Sequence, residues 1–367
     1  MTKNKVLNIH YFVELSSATL HARALPLARS LKKHGIQCRV VLPINWSSIG
    51  GGKLHEILSI FLTHNLKDYV KTLQIRPETV IIGRSSSINM FLFQKLLRLR
   101  GIKVIFDLDD AVILPSISFF GVKVRSPAYF CAEKMLECSD AVIVNGNYLL
   151  CYAKHFNEKV SVIHVPVDTE IFHPRKKLYS DKITIGWQGN PANHYDNLAM
   201  LIKPLETLAK EHSIRFKLAS FMGDTKVKRM FENLEGLMEI DYGSDHWLPL
   251  RRFAEQLFDF DIMVAPLTIN DWNEGKSALR VSAGMAMGIP VVASPVGEQK
   301  YIIKHGVNGF LAANELEWYS FLKVLIENDE LRHEIGKHAR ETSENELSLD
   351  ISGRRLNSII RSLQMCS

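Results

Sequence analysis

Short β-rich apolar runs alternate with longer helical runs along the whole chain, and the alternation starts afresh near the middle. In the first half the strand-like runs are Val6–Ile9, Cys38–Leu42, Val80–Ile82, Val104–Phe106, Ala141–Val144 and Ser161–His164. Between them lie the helical runs Leu20–Lys33, Leu54–Leu73, Met90–Arg100 and Tyr129–Leu136, and Gly35 stands where a helix C-cap belongs, after Lys32-Lys33. After Pro166, Pro174 and the polar Arg175-Lys176-Lys177, a new strand opens at Ile183–Trp187. Phe216–Ala219, Met238–Ile240, Ile262–Ala265 and Val291–Ala293 follow, with helices at Leu198–Lys210, Phe253–Phe258 and Ser277–Met287. Strands that alternate with helices form parallel sheets covered by helices. Two such rounds in 367 residues predict an α/β chain of two Rossmann-like doubly wound domains facing across a cleft. The expected boundaries are a first domain at 1–165, a linker at 166–181 and a second domain at 182–345. A C-terminal helix within 346–367 is expected to pack back on the first domain.

Several classes are excluded. The longest apolar stretches, such as Ile57–Leu62, fall far short of the roughly 20 residues of a membrane-spanning helix. The N-terminus runs straight into a strand with no secretory h-region, and the five cysteines are odd in number with no CxxC pair. No zinc or disulfide framework is expected, and the predicted location is the cytoplasm. A net charge of +6 fits either a solvated surface or an anionic partner such as phospholipid, lipid phosphate or nucleotide. Helix-turn-helix, RNP and zinc-finger patterns are missing, so nucleic acid is not an expected partner.

The segment Asn273-Glu274-Gly275-Lys276-Ser277-Ala278-Leu279-Arg280, running on to Gly288-Ile289-Pro290-Val291-Val292-Ala293-Ser294, reads as loop, helix, tight turn and strand. Lys276 at the helix start and Arg280 one turn later would share a face, and a helix N-terminus adds free amides, a combination suited to a diphosphate. A Walker A reading fails because Asn270 stands where that loop needs glycine. Ser294-Pro295-Val296-Gly297-Glu298 follows the strand, and glycine there lets backbone approach a phosphate or sugar.

This segment resembles the donor-binding core of the retaining GT-B glycosyltransferases, glycosyltransferase family 4 (glycosyl transferases group 1) in particular. Val165-Pro166-Val167-Asp168-Thr169-Glu170-Ile171-Phe172-His173-Pro174 resembles that family's interdomain signature. Ile185-Gly186-Trp187-Gln188-Gly189-Asn190 resembles the strand and glycine loop that open its second domain, and Gly306-Val307-Asn308-Gly309-Phe310-Leu311 the turn after its nucleotide site. The resemblance implies an enzyme without metal or cofactor. It would move a sugar from a nucleotide diphosphate sugar to an acceptor hydroxyl with retention, in cell-surface polysaccharide or glycolipid synthesis. It implies that Gly189, Asn190, Tyr242, Glu274, Lys276, Arg280, Ser294, Gly297 and Glu298 hold the donor. Two features depart from the family pattern: Ala283 and Gly275 occupy the places of its paired glutamates, and Asn190 and the surroundings of His194 replace its first-loop Arg and Lys. A GT-B epimerase or phosphorylase, or a non-catalytic binding protein, remain alternatives.

In the first domain Phe106-Asp107-Leu108-Asp109-Asp110 ends a strand. By the resemblance Asp109 takes the place of a catalytic-region His, and is expected to hold the transferring sugar or the acceptor hydroxyl. Asp107, Arg84, Ser16 and Ser17 are expected around a saccharide or lipid-linked acceptor, with two structural readings beside them: Asp107 paired with an Arg, and serine capping. Arg23, Arg29, Lys32 and Lys33, then Lys95, Arg98 and Arg100 among Leu92, Phe93, Leu96, Leu97 and Leu99, form basic helices. Most of those apolar residues should be core, with a peripheral contact at the inner membrane face as the functional reading.

Overall fold

The structure is a computed structural model that describes residues 7–13, 19–43, 64–85, 87–110, 116–119, 122–125, 127–175, 181–243 and 246–365. Its strands are β1 (Leu7–Val13), β2 (Ile36–Val41), β3 (Thr79–Gly83), β4 (Lys103–Leu108), β5 (Ser116–Phe119), β6 (Val122–Arg125), β7 (Ala141–Val144) and β8 (Val160–Val162). They continue with β9 (Ile183–Gln188), β10 (Ile214–Ala219), β11 (Glu239–Tyr242), β12 (Ile262–Ala265), β13 (Val291–Ala293) and β14 (Phe310–Leu311).

Two six-stranded sheets result, in the orders β2-β1-β3-β4-β7-β8 and β11-β10-β9-β12-β13-β14, and all their pairings are parallel. The expected α/β class with two doubly wound sheets is met. Every expected strand run has a counterpart. The antiparallel pair β5–β6 and the two-residue β14 were not expected, the latter lying in a segment read as a turn. Of the expected helix Leu54–Leu73, residues 54–63 lie outside the described residues, and a helix runs from Leu66 to Ile75.

Contacts divide the chain into two compact units. One comprises Met1–Pro166, Gly275–Ser277 and Leu349–Ser367; the other comprises Val167–Glu274 and Ala278–Ser348. In the first unit, Val80, Ile81, Ile82, Val104, Ile105 and Phe106 are fully buried, as central parallel strands covered on both faces must be. The helix Leu349–Met365 packs against the helix Leu25–Lys33 in this unit, burying Leu356 and Ile360. Gly353 makes the approach possible, because a Cβ there would overlap Ser30 Oγ. Along the helix Ile88–Leu99, Phe93 and Leu97 are core, whereas Ile88, Leu92, Leu96 and Leu99 are exposed, so the apolar face extends beyond what the core covers.

In the second unit the core gathers Trp187, Phe216, Phe231 and Trp318 on one side of the sheet. Phe172, Phe253, Met263 and Met285 lie in the second core cluster. Arg340 ties the chain's entry into this unit to the donor-segment helix: its Nη1 donates to Phe172 O at 2.6 Å and to Ala286 O at 2.5 Å. Among the described residues, no helix is long and apolar enough to cross a membrane.

Candidate active site

In the second sheet the strand order reverses direction between β9 and β12. Open parallel sheets bind ligands beyond the carboxyl ends of the strands at such a switch point. β9 ends there in Trp187-Gln188, and Gly189 follows it. Gly189 has φ +155°, a conformation that favours glycine, and its amide donates to Ala219 O at 3.2 Å. A Cβ on Gly189 would collide with Arg280 Nη2. The glycine therefore makes room for a guanidinium.

Arg280 stands in the first turn of the helix Leu279–Ala286, its Cζ 4.8 Å from the centre of the buried Trp187 ring. Its Nε is buried without a hydrogen-bond partner, and among the described residues no carboxylate pairs with it. Desolvation pushes its pKa down to about 10, so it remains a cation at neutral pH. A buried cation lacking a counter-ion is costly unless an anion arrives to complete it. Trp187 Nε1 is also buried without a partner.

The surrounding loops are braced from within. Asn197 Oδ1 accepts from Thr268 N at 2.8 Å, and Asn273 Nδ2 donates to Thr268 O at 2.8 Å, which fixes the loop after β12. Ser294 Oγ accepts from Leu267 N at 2.9 Å, and Glu274 Oε2 accepts from Gly297 N at 3.1 Å and Lys300 Nζ at 2.8 Å. Two residues expected on the donor, Ser294 and Glu274, therefore brace loops. Ser294 is buried and holds the neighbouring loop, and Glu274 already occupies the Gly297 amide. Glu298 is also buried, ahead of the helix Gln299–Ile302. Asn190 caps the short turn Pro191–Asn193, and Tyr242 donates to Glu235 at 2.9 Å beside Phe221.

Lys276 needs a correction. The helix begins at Leu279, so Lys276 lies in the preceding loop and does not share a helical face with Arg280. Gly275–Ser277 group with the first unit and Ala278–Ser348 with the second. Ala278 is the N-cap of that helix. Ala283 is fully buried in the core and presents nothing to a ribose.

In the first sheet the switch point falls between β1 and β3. A π-helical turn at Thr19–Ala24 lies beside β1, and β3 ends at Gly83-Arg84. Arg84 adopts φ +46°, unusual for a side chain with a Cβ, and its amide donates to Asp107 O at 2.8 Å. Its guanidinium pairs with Asp110 at 2.9 Å and donates to Thr19 Oγ1 at 3.2 Å. Asp107 is fully buried: Arg23 donates to it at 2.8 and 2.9 Å, and Tyr11 Oη also donates to it. Asp107 is thus a structural anchor, not an acceptor contact, and Arg23 is fully buried, not part of a basic surface. Asp109 is nearly buried, with Oδ1 lacking a partner. Burial, reinforced by the charge of Asp107, pushes its pKa up to about 6. Ser16 and Ser17 lie outside the described residues. Among the described residues, no cluster of His, Cys, Asp and Glu is arranged to hold a metal ion.

Residues 182–328 match the family model described as glycosyl transferases group 1. That segment is a group 1 glycosyltransferase domain by its match. The fold agrees with solved GT-B structures over essentially the full length. A glycosyltransferase from Rickettsia africae is 16% identical with a TM-score of 0.70, covering 100% of both chains. Anabaena HepE in complex with UDP-glucose is 14% identical with a TM-score of 0.64, covering 97% of this chain and 100% of its own. Sucrose-phosphate synthase from Thermosynechococcus elongatus is 13% identical with a TM-score of 0.68, covering 98% and 100%. A search of curated protein sequences finds no match. The expectations of a GT-B fold and of a glycosyltransferase are both met.

Sequence reasoning about this glycosyltransferase missed Trp187 as the platform beneath Arg280, and Arg23, Tyr11 and Thr19 around the β4 carboxylates. The position of Trp187, two residues before the glycine that follows the strand, was the available signal for the first. The others depend on which residues neighbouring parallel strands bring together, and local spacing does not encode that.

Proposed function

We propose that this glycosyltransferase takes a nucleoside diphosphate sugar and transfers the sugar to an acceptor hydroxyl with retention, in the synthesis of a cell-surface polysaccharide or glycolipid. The observation that carries the reading is Arg280: half-buried with its Nε enclosed and unpartnered, cationic, lacking a carboxylate partner among the described residues, and set against a glycine at a sheet switch point. In the reaction the bond from the anomeric carbon to the diphosphate breaks, a bond to the acceptor oxygen forms, and the acceptor's proton passes to the leaving diphosphate. Arg280 stabilises the charge that builds on the leaving diphosphate. Asp109 holds the acceptor hydroxyl through its unpartnered oxygen, and above pH 6 it is ionised and able to accept that hydrogen bond. HepE in complex with UDP-glucose makes UDP-sugars the first donors to try.

The test is a proton NMR assay of UDP-sugars mixed with saccharide and lipid-linked acceptors. The expected product keeps the donor's anomeric configuration and appears together with free UDP. An epimerised nucleotide sugar formed without acceptor would instead assign the chain to an epimerase.

We also propose contact with an anionic bilayer through the helix Ile88–Leu99. Leu92 is 58% and Leu99 84% exposed, in a stripe flanked by Lys95, Arg98 and Arg100. The protein is expected to co-sediment with phosphatidylglycerol vesicles and not with phosphatidylcholine vesicles, and Leu92→Ser/Leu99→Ser should lose the binding. Equal sedimentation of the wild type with both lipids would contradict this proposal.

A further inference from the structure

We propose that the π-helical turn Thr19–Ala24 sets the geometry of the carboxylates that end β4, with Thr19 as the positioning residue of Asp109 and Arg23 as that of Asp107. π turns are rare and gather at functional sites. Here the turn delivers two buried polar side chains four residues apart, Thr19 and Arg23, to two carboxylates two residues apart, Asp107 in β4 and Asp109 just after it. Arg23 locks Asp107 through Nε and Nη2, and its Nη1 donates to Ile163 O at 2.7 Å, so the lower carboxylate cannot turn.

Thr19 has a single hydroxyl proton to give. Arg84 Nη1 donates to that oxygen at 3.2 Å, so the oxygen accepts from Arg84 while its own proton goes to Asp109. The bond turns one Asp109 oxygen toward the turn and leaves Oδ1 without a partner. This deepens the proposed function, because Oδ1 is the oxygen assigned above to the acceptor.

The charged groups facing Asp109 are Asp107 in β4, Arg84 and its partner Asp110, Arg23 from the turn, and the Tyr11 hydroxyl from β1. Burial and Asp107 raise the proton affinity of Asp109, whereas Arg84, Arg23 and the Thr19 hydrogen bond lower it. Removing the Thr19 hydroxyl therefore favours the protonated carboxyl.

The experiment follows the carboxyl carbon of Asp109 by NMR in aspartate-labelled protein across pH, using Asp109→Asn to identify the signal. The wild type is expected to titrate near pH 6. Thr19→Val, of nearly the same shape, should raise the midpoint by about one unit, and Thr19→Ser should restore it. An unchanged midpoint in Thr19→Val would overturn the proposal. UDP-glucose turnover is read alongside. The acidic limb of kcat should move up with the NMR midpoint while KM stays constant. If Asp109→Asn keeps full turnover, the catalytic reading of Asp109 falls, and the NMR titration still decides whether Thr19 positions it.

Discussion

Arg280→Ala should lower turnover of a nucleoside diphosphate sugar by about 10²–10³-fold while leaving the protein at least as stable as the wild type. The two halves of this expectation share one cause. Arg280 has no carboxylate partner among the described residues, so its removal strands no opposite charge there. What it contributes to the empty fold is a stacking contact on Trp187, worth about 0.5–2 kcal/mol, set against the desolvation that pushes its pKa down to about 10. Desolvation of the half-buried guanidinium therefore offsets much of what the stacking contact contributes. Arg280→Lys should recover only part of the turnover, because an ammonium keeps the charge and loses the planar fork that stacks on the indole and grips two oxygens. Turnover and thermal midpoint measured on the same preparations check this. A variant that loses stability and activity in proportion would make Arg280 a structural residue.

The second large effect lies in the first unit. Arg23→Ala should destabilise the protein by about 3–5 kcal/mol, because it leaves Asp107 buried with its charge uncompensated. Tyr11 alone cannot offset that charge: its own pKa stands well above the usual phenol value, so it remains a neutral donor. The coupled experiment replaces both partners. Arg23→Met/Asp107→Leu removes the charges together, and such replacements in a packed interior are often neutral. Urea denaturation should therefore show the double variant recovering most of the stability that the single variant loses. If the single variant unfolds at the wild-type urea concentration, the pair does not anchor β4.

The contrast between these two arginines shows what local sequence can encode. Both are cations in helical segments, and local sequence places Arg23 on a basic helix surface. Arg280 lies in a strand–loop–helix segment whose order resembles a known family, so its neighbourhood is legible, whereas the helix begins at Leu279, later than the sequence pattern predicts, and leaves Lys276 in the loop. Arg23 meets Asp107, which lies 84 residues away, because β1, β3 and β4 adjoin in the sheet, and no periodicity within the turn announces that contact. The strands themselves were readable for a physical reason. A strand buried on both faces must be apolar throughout, and Val80–Ile82, Ala141–Val144 and Ile262–Ala265 stand out as such runs. β14 is too short to leave that mark. Ser294 and Glu274 were assigned to the donor from motif position, but their partners show them bracing loops.

The central claim is that the second unit binds a nucleoside diphosphate through Arg280, and calorimetric titration tests it most directly. Wild-type protein and Arg280→Ala are titrated with UDP, GDP and ADP, and with the matching monophosphates. The prediction is that one diphosphate binds the wild type more tightly than its monophosphate, and that Arg280→Ala abolishes this preference. Equal affinity of both proteins for that diphosphate would contradict it.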